Sequence, residues 1–160
     1  MWLWQDLDHF AFNVSERLGG SEDYRNDEQF SPVAEELAHR AQTQVQRLRA
    51  QFPDLESVAS HLAAQPVRRG WFWESWNAGV AAALVGDVPI ARQRLAAVLD
   101  EEPIAPWMDD AQQIAQELVA MVRDRDAVGE WALRSIASCR QRLRLTAEPL
   151  EKVFGAATSV

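Results

Sequence analysis

Apolar residues recur along most of this chain at spacings of three and four, the period of one face of an α-helix. Leu3, Leu7, Phe10, Val14 and Leu18 form a first stripe that Gly19-Gly20 stops, which predicts a first helix. Residues 21–30 are polar, acidic and aperiodic and read as a loop. Ser31 is then placed to cap a second, long helix with Pro32 at its first position, and Val33, Leu37, Ala41, Val45, Leu48 and Phe52 continue the stripe to Pro53. Asp54 caps a short third helix with Leu55, Val58, Ala59 and Leu62 inward, ended by Pro66.

The stretch from Arg68 to Val85 is apolar nearly all round, the pattern of a helix enclosed by neighbours, and it is expected at the centre of the fold. Gly86-Asp87 makes the next turn: glycine accepts the left-handed conformation and Asp87 caps a helix carrying Ile90, Ala91, Leu95, Val98 and Leu99 inward. Pro106 opens another helix with Trp107, Met108, Ala111, Ile114, Ala115, Leu118, Met121 and Val122 on its buried side. A last long helix carries Val128, Trp131, Ala132, Ile136, Cys139 and Leu143, and residues 146–160 form a frayed or docked tail. No segment alternates with the period of two of a half-buried strand. The expectation is therefore one all-α domain spanning 1–160, with about seven helices arranged as antiparallel hairpins.

Charge narrows the choice of partner. The chain has 160 residues, with 24 acidic and 16 basic side chains and a net charge of −8, which disfavours nucleic acid and anionic membrane surfaces. A partner that is another protein or peptide, possibly basic, fits better. The acids crowd one end: Glu22, Asp23, Asp27 and Glu28, with Glu35 and Glu36 beyond them, form an acidic face that would steer such a partner. Cys139 is the single cysteine, which excludes an internal disulfide framework and fits a reducing cytoplasm. Asp6, Asp8, His9 and Glu16 interrupt the N-terminal stripe and no basic region precedes it, so a signal peptide is not expected. The longest apolar run, residues 78–85, is far short of the roughly 18 residues that span a bilayer.

From Trp76 to Pro103 the chain resembles one tetratricopeptide-type helix hairpin. Gly79 stands where the two helices cross, Gly86-Asp87 at the turn, Ala91 at the small contact in the second helix, and Leu99 and Pro103 close it. Shifted by the repeat length of ~34 residues in either direction the pattern does not recur, so a single unit is expected, over about residues 72–103. The flanking hairpins, residues 31–66 and 106–145, could stack on it without carrying the signature, or the helices could close into an orthogonal bundle. The resemblance implies that Trp73, Trp76, Val80, Ala83 and Leu84 line a ligand groove. With Trp71 and Asn77 beside them, Trp71, Trp73, Trp76, Asn77, Val80 and Leu84 make up the candidate partner-binding set.

Motifs for chemistry are sparse. Glu36-x-x-His39 has the spacing of a di-metal helical bundle, and Asp6-x-x-His9 is a looser echo, but a bundle of that kind needs further glutamates from other helices. No nucleophile elbow, phosphate-cradling glycine loop or His-Glu-x-x-His zinc motif occurs, and Cys139 lies on an inward face as a packing residue. The expectation is a non-enzymatic, cytoplasmic protein-interaction module with neither cofactor nor metal, using an aromatic groove and an acidic face. Size and acidity are also compatible with a small bacterial immunity or antitoxin protein, and a metal-binding helical-bundle enzyme would have to use Glu36 and His39.

Overall fold

Side chains that cap the backbone set where most helices begin. In the computed structural model, which describes residues 3–5, 7 and 23–145, Asn26 Oδ1 accepts from the Gln29 N–H at 2.8 Å and starts α1, Asp27–Gln51. Asp54 caps α2, Leu55–Ala63, through the Ser57 N–H at 2.8 Å, and Asp87 caps α4, Val88–Leu99, through the Ile90 N–H at 3.2 Å. Asp124 does the same for α6, Arg125–Arg142, through the Ala127 N–H at 3.0 Å. Pro106 opens α5, Pro106–Met121, where a missing N–H costs nothing. α3, Phe72–Val85, has no side-chain cap. Leu3–Gln5 form a 3-10 turn, and there is no strand among the described residues. The fold is all-α.

Three boundaries differ from the sequence expectation. α1 begins at Asp27 and not at Ser31, because Asn26 supplies a cap and Asp27 and Glu28 suit the positive end of the helix dipole. Pro32 consequently sits inside the helix, itself exposed, in a helix that has no buried residue. α3 begins at Phe72, because Gly70 takes a positive φ of 81° and breaks the run that starts at Arg68. Of the expected first helix, Leu3–Gln5 form the 3-10 turn, while Phe10, Val14 and Leu18 lie outside the described residues, as does the tail 146–160. The described residues therefore hold six α-helices, not about seven.

α3 is the hub. It packs against α2, α4 and α6, α4 packs on α5, α5 meets α6, and the N-terminal 3-10 turn lies on α6. Trp76, Val80, Leu95, Val98, Leu118, Val122 and Val128 are fully enclosed at the centre. The α3–α4 contact is the closest, and Gly79 allows it: a Cβ there would stand 2.9 Å from Leu95 Cγ. Gly86 ends α3 with φ 82°, and Asp87 N–H bonds back to the Ala82 carbonyl at 2.8 Å.

Buried polar groups tie the remaining helices to this pair. Arg94 on α4 is nearly enclosed and its guanidinium donates to the Ala63 carbonyl at 2.7 Å and to the Gln65 carbonyl, closing the C-terminal end of α2 with a positive charge. Burial lowers its pKa, but an arginine stays protonated throughout the physiological range. Gln112 on α5 reaches the Val98 carbonyl at 3.0 Å and the Glu101 carbonyl at 2.7 Å, and Arg125 Nε donates to the Leu84 carbonyl at 2.8 Å. α1 is the exception: among the described residues it buries no side chain.

Candidate interaction surface

Aromatic rings run from the core to the surface at the end of the fold where α3 and α5 begin. Trp76 is enclosed, with Trp131 edge-on at 6.4 Å and Phe72 stacked at 6.4 Å. Phe72, also buried, meets the edges of Trp73 at 5.3 Å and Trp107 at 5.4 Å. Trp73 and Trp107 then stack on each other, centroids 5.4 Å apart and planes 13° from parallel. Trp107 keeps 45% of its surface exposed and Ile104, on the loop before it, 86%.

Trp71 completes this end. It is 47% exposed, and the Arg68 guanidinium lies over its ring at 4.6 Å, a cation–π contact. The loop that carries it is fastened to the loop before α5 by a hydrogen bond from the Gly70 N–H to Glu101 Oε1 at 2.5 Å. The Ile104 N–H is turned inward to Met108 Sδ at 3.4 Å, which leaves the isoleucine side chain outward.

The sequence-derived partner-binding set divides. Trp71 is at the surface and Trp73 is half-buried between Trp76 and Trp107. Trp76, Asn77, Val80 and Leu84 belong to the interior: α2, α4 and α6 surround α3, and the face that would line an open groove is closed. The chain's own N-terminal turn covers part of it, since Trp4 Nε1 and Gln5 Nε2 both donate to Asn77 Oδ1, at 3.0 and 3.2 Å. Cys139, buried as expected, donates from Sγ to the Leu7 carbonyl at 3.4 Å and holds the same segment.

Trp107 also corrects the sequence reading, which set it on the buried side of its helix. Met108, Ala111, Ala115 and Leu118 define that side, and Trp107 in the first turn lies off their stripe and is held by Trp73 instead. Ile104 belongs to no periodic segment: between Pro103 and Pro106 it has no helical face to bury it.

Of the acidic set, Glu22 lies outside the described residues. Asp23 is exposed ahead of α1, and Asp27 and Glu28 occupy its exposed first turn. Tyr24 donates its hydroxyl to Asp27 Oδ1 at 2.8 Å, and this bond holds the phenol above its ordinary pKa. Glu36 forms an ion pair with Arg40, 2.6 Å from Oε1 to Nε, and His39 is exposed on the same helix. Among the described residues no three His, Cys, Asp or Glu side chains are grouped to hold a metal ion. No helix among them is long and apolar enough to cross a membrane. Compared with protein-family models, curated proteins and solved structures, the chain shows no match to any of them.

Proposed function

We propose that this chain is a protein-binding helical module whose partner docks on the aromatic end formed by Trp71, Trp73, Trp107 and Ile104. The observation that carries the reading is the half-exposure of two tryptophans, one stacked on a ring anchored in the core, beside an isoleucine open to solvent. Exposed rings that are already ordered bury large apolar area on binding while losing little side-chain entropy, and binding energy concentrates on such residues. The acidic start of α1, with Asp23, Asp27 and Glu28, favours a basic partner by long-range attraction.

The helices serve as the scaffold. The close approach at Gly79, the left-handed Gly86 and the buried Ala91 support the likeness of α3–α4 to a tetratricopeptide hairpin. Contacts of α3 with three other helices, α6 among them, favour a closed bundle around that hairpin over an open stack. A closed bundle offers its rims and helix ends for docking, where the aromatic end lies.

A photo-crosslinking side chain at Ile104 tests the site. Crosslinking to one protein, lost when unmodified chain competes, is expected. Capture of a protein by a crosslinker on the α4 surface at Arg92, with none captured at Ile104, would contradict the assignment.

A further inference from the structure

We propose that the aromatic end recognises a partner segment in which an arginine stands beside an apolar residue, the guanidinium stacking on the outer face of Trp107 and the apolar side chain resting on Ile104. The inference rests on the reading of that end as the docking surface and adds the chemistry that is recognised there. The open face of Trp107 is the first observation behind it. The centroids of Phe72, Trp73 and Trp107 stand 5.3, 5.4 and 5.4 Å from one another, close to an equilateral triangle. Trp73, nearly parallel to Trp107, covers one of its faces, and a triangle of these sides keeps Phe72 on that side or at the ring edge. Among the described residues no ring or cation lies over the other face, and Trp107 is 45% exposed.

Charge is the second observation. Residues 100–110 hold five acids, Asp100, Glu101, Glu102, Asp109 and Asp110, and no base. No ion pair among the described residues engages any of the five. Asp109 in the first turn of α5 suits the dipole of that helix, but Asp100 caps the C-terminal end of α4 and Glu101 and Glu102 follow it, where a helix dipole disfavours anions. Their negative potential is uncompensated within the fold, and it borders the rings. Asp110 lies three residues beyond Trp107, its neighbour on the helix surface, and Glu102 two residues before Ile104, both exposed.

The third observation is that this end already seats one guanidinium on an indole, Arg68 over Trp71 at 4.6 Å. Trp71 is thereby filled, and with exposed Arg69 beside it that half of the end repels a further cation. Trp107, bordered by acids, is the seat that remains. Arginine suits it better than lysine, because a planar guanidinium stacks on a ring while its in-plane N–H groups reach carboxylates at the ring edge.

A random peptide library displayed on phage and selected on the full chain tests the proposal, with Trp107→Ala and Ile104→Ser as counter-selections. Sequences that bind wild type and neither variant are expected to carry an arginine next to an apolar residue. In a synthetic peptide of the leading sequence, changing that arginine to glutamine should weaken binding by about tenfold, and lysine should recover only part of the loss. Glu102→Gln with Asp110→Asn should weaken the arginine peptide by about fivefold or more and leave the glutamine peptide unchanged, the signature of a direct pairing. Circular dichroism shows that each variant keeps its helices, and Ile104→Ser, a change at a loop residue, reports on the surface if Trp107→Ala unfolds. Selected sequences that need Trp107 or Ile104 but carry no arginine would overturn the proposal and leave the docking surface in place, as would an arginine peptide indifferent to the Glu102 and Asp110 changes. A library that yields no sequence dependent on either Trp107 or Ile104 would overturn the docking surface and this proposal together.

Discussion

Trp4 donates its indole N–H to Asn77 Oδ1 at 3.0 Å, across 73 residues of sequence, and so places the N-terminal turn over α3. Asn77 has no exposed surface, and Gln5 shares its oxygen. A residue with the position of a groove-lining contact is thus an internal anchor. Asn77→Val removes the acceptor and leaves two buried donors, at a cost of about 1–3 kcal/mol. Hydrogen exchange at the Trp4 indole should accelerate in the variant more than exchange at the α4 amides. Equal protection of Trp4 in both proteins would show that the bond does not hold the turn.

Gly79 and Gly86 serve α3–α4 packing in different ways. At Gly79 an added methyl meets Leu95 at 2.9 Å, so Gly79→Ala should destabilise by about 1–3 kcal/mol through overpacking. At Gly86 there is open space but φ is 82°, so Gly86→Val should cost about 1–3 kcal/mol through backbone strain alone. Denaturant midpoints compared at constant m-value distinguish these from a general loosening.

Arg94 is expected to be the most sensitive charged residue of the core. Arg94→Ala leaves the Ala63 and Gln65 carbonyls without their charged donor and empties the space of a long side chain, a loss of about 2–3 kcal/mol or more. Arg94→Lys offers a point charge in place of a planar fork and should recover only part of it. Urea unfolding of the two variants gives the order.

Much of the fold was legible because single residues punctuate it. Asp54, Asp87 and Pro106 sit where capping chemistry or a missing N–H fixes a helix start, and Gly86 where only a left-handed residue turns the chain. The start of α1 is not legible because Ser31-Pro32 is the stronger local signal, whereas Asn26, bonded to the N–H of Gln29, forms the cap. The candidate site was less legible. Periodicity shows which residues share a face of α3, but neither it nor the tetratricopeptide resemblance shows that three helices enclose Trp76, Asn77, Val80 and Leu84. Trp107 and Ile104 have local explanations, one lying off the buried stripe of α5 and the other between two prolines, whereas the Gly70–Glu101 bond that ties the Trp71 loop to theirs spans 31 residues and no local pattern carries it.

The tryptophans should respond in a graded way. Trp76→Ala opens a cavity in the core and should cost about 3–5 kcal/mol, while Trp71→Ala should change stability by less than about 1 kcal/mol. Trp73→Ala falls between, since its ring lies between Trp76 and Trp107. Thermal unfolding and acrylamide quenching of each variant check the order; equal losses for Trp71 and Trp76 would place Trp71 in the core.

The most direct test of the central claim is the dissociation constant of Trp107→Ala for the protein captured at Ile104, measured by titration calorimetry beside its melting temperature. A docking residue predicts a loss of about 2 kcal/mol or more, roughly thirtyfold in affinity, with the melting temperature within a few degrees of wild type. Unchanged affinity with a folded variant would contradict the assignment of the aromatic end as the binding surface.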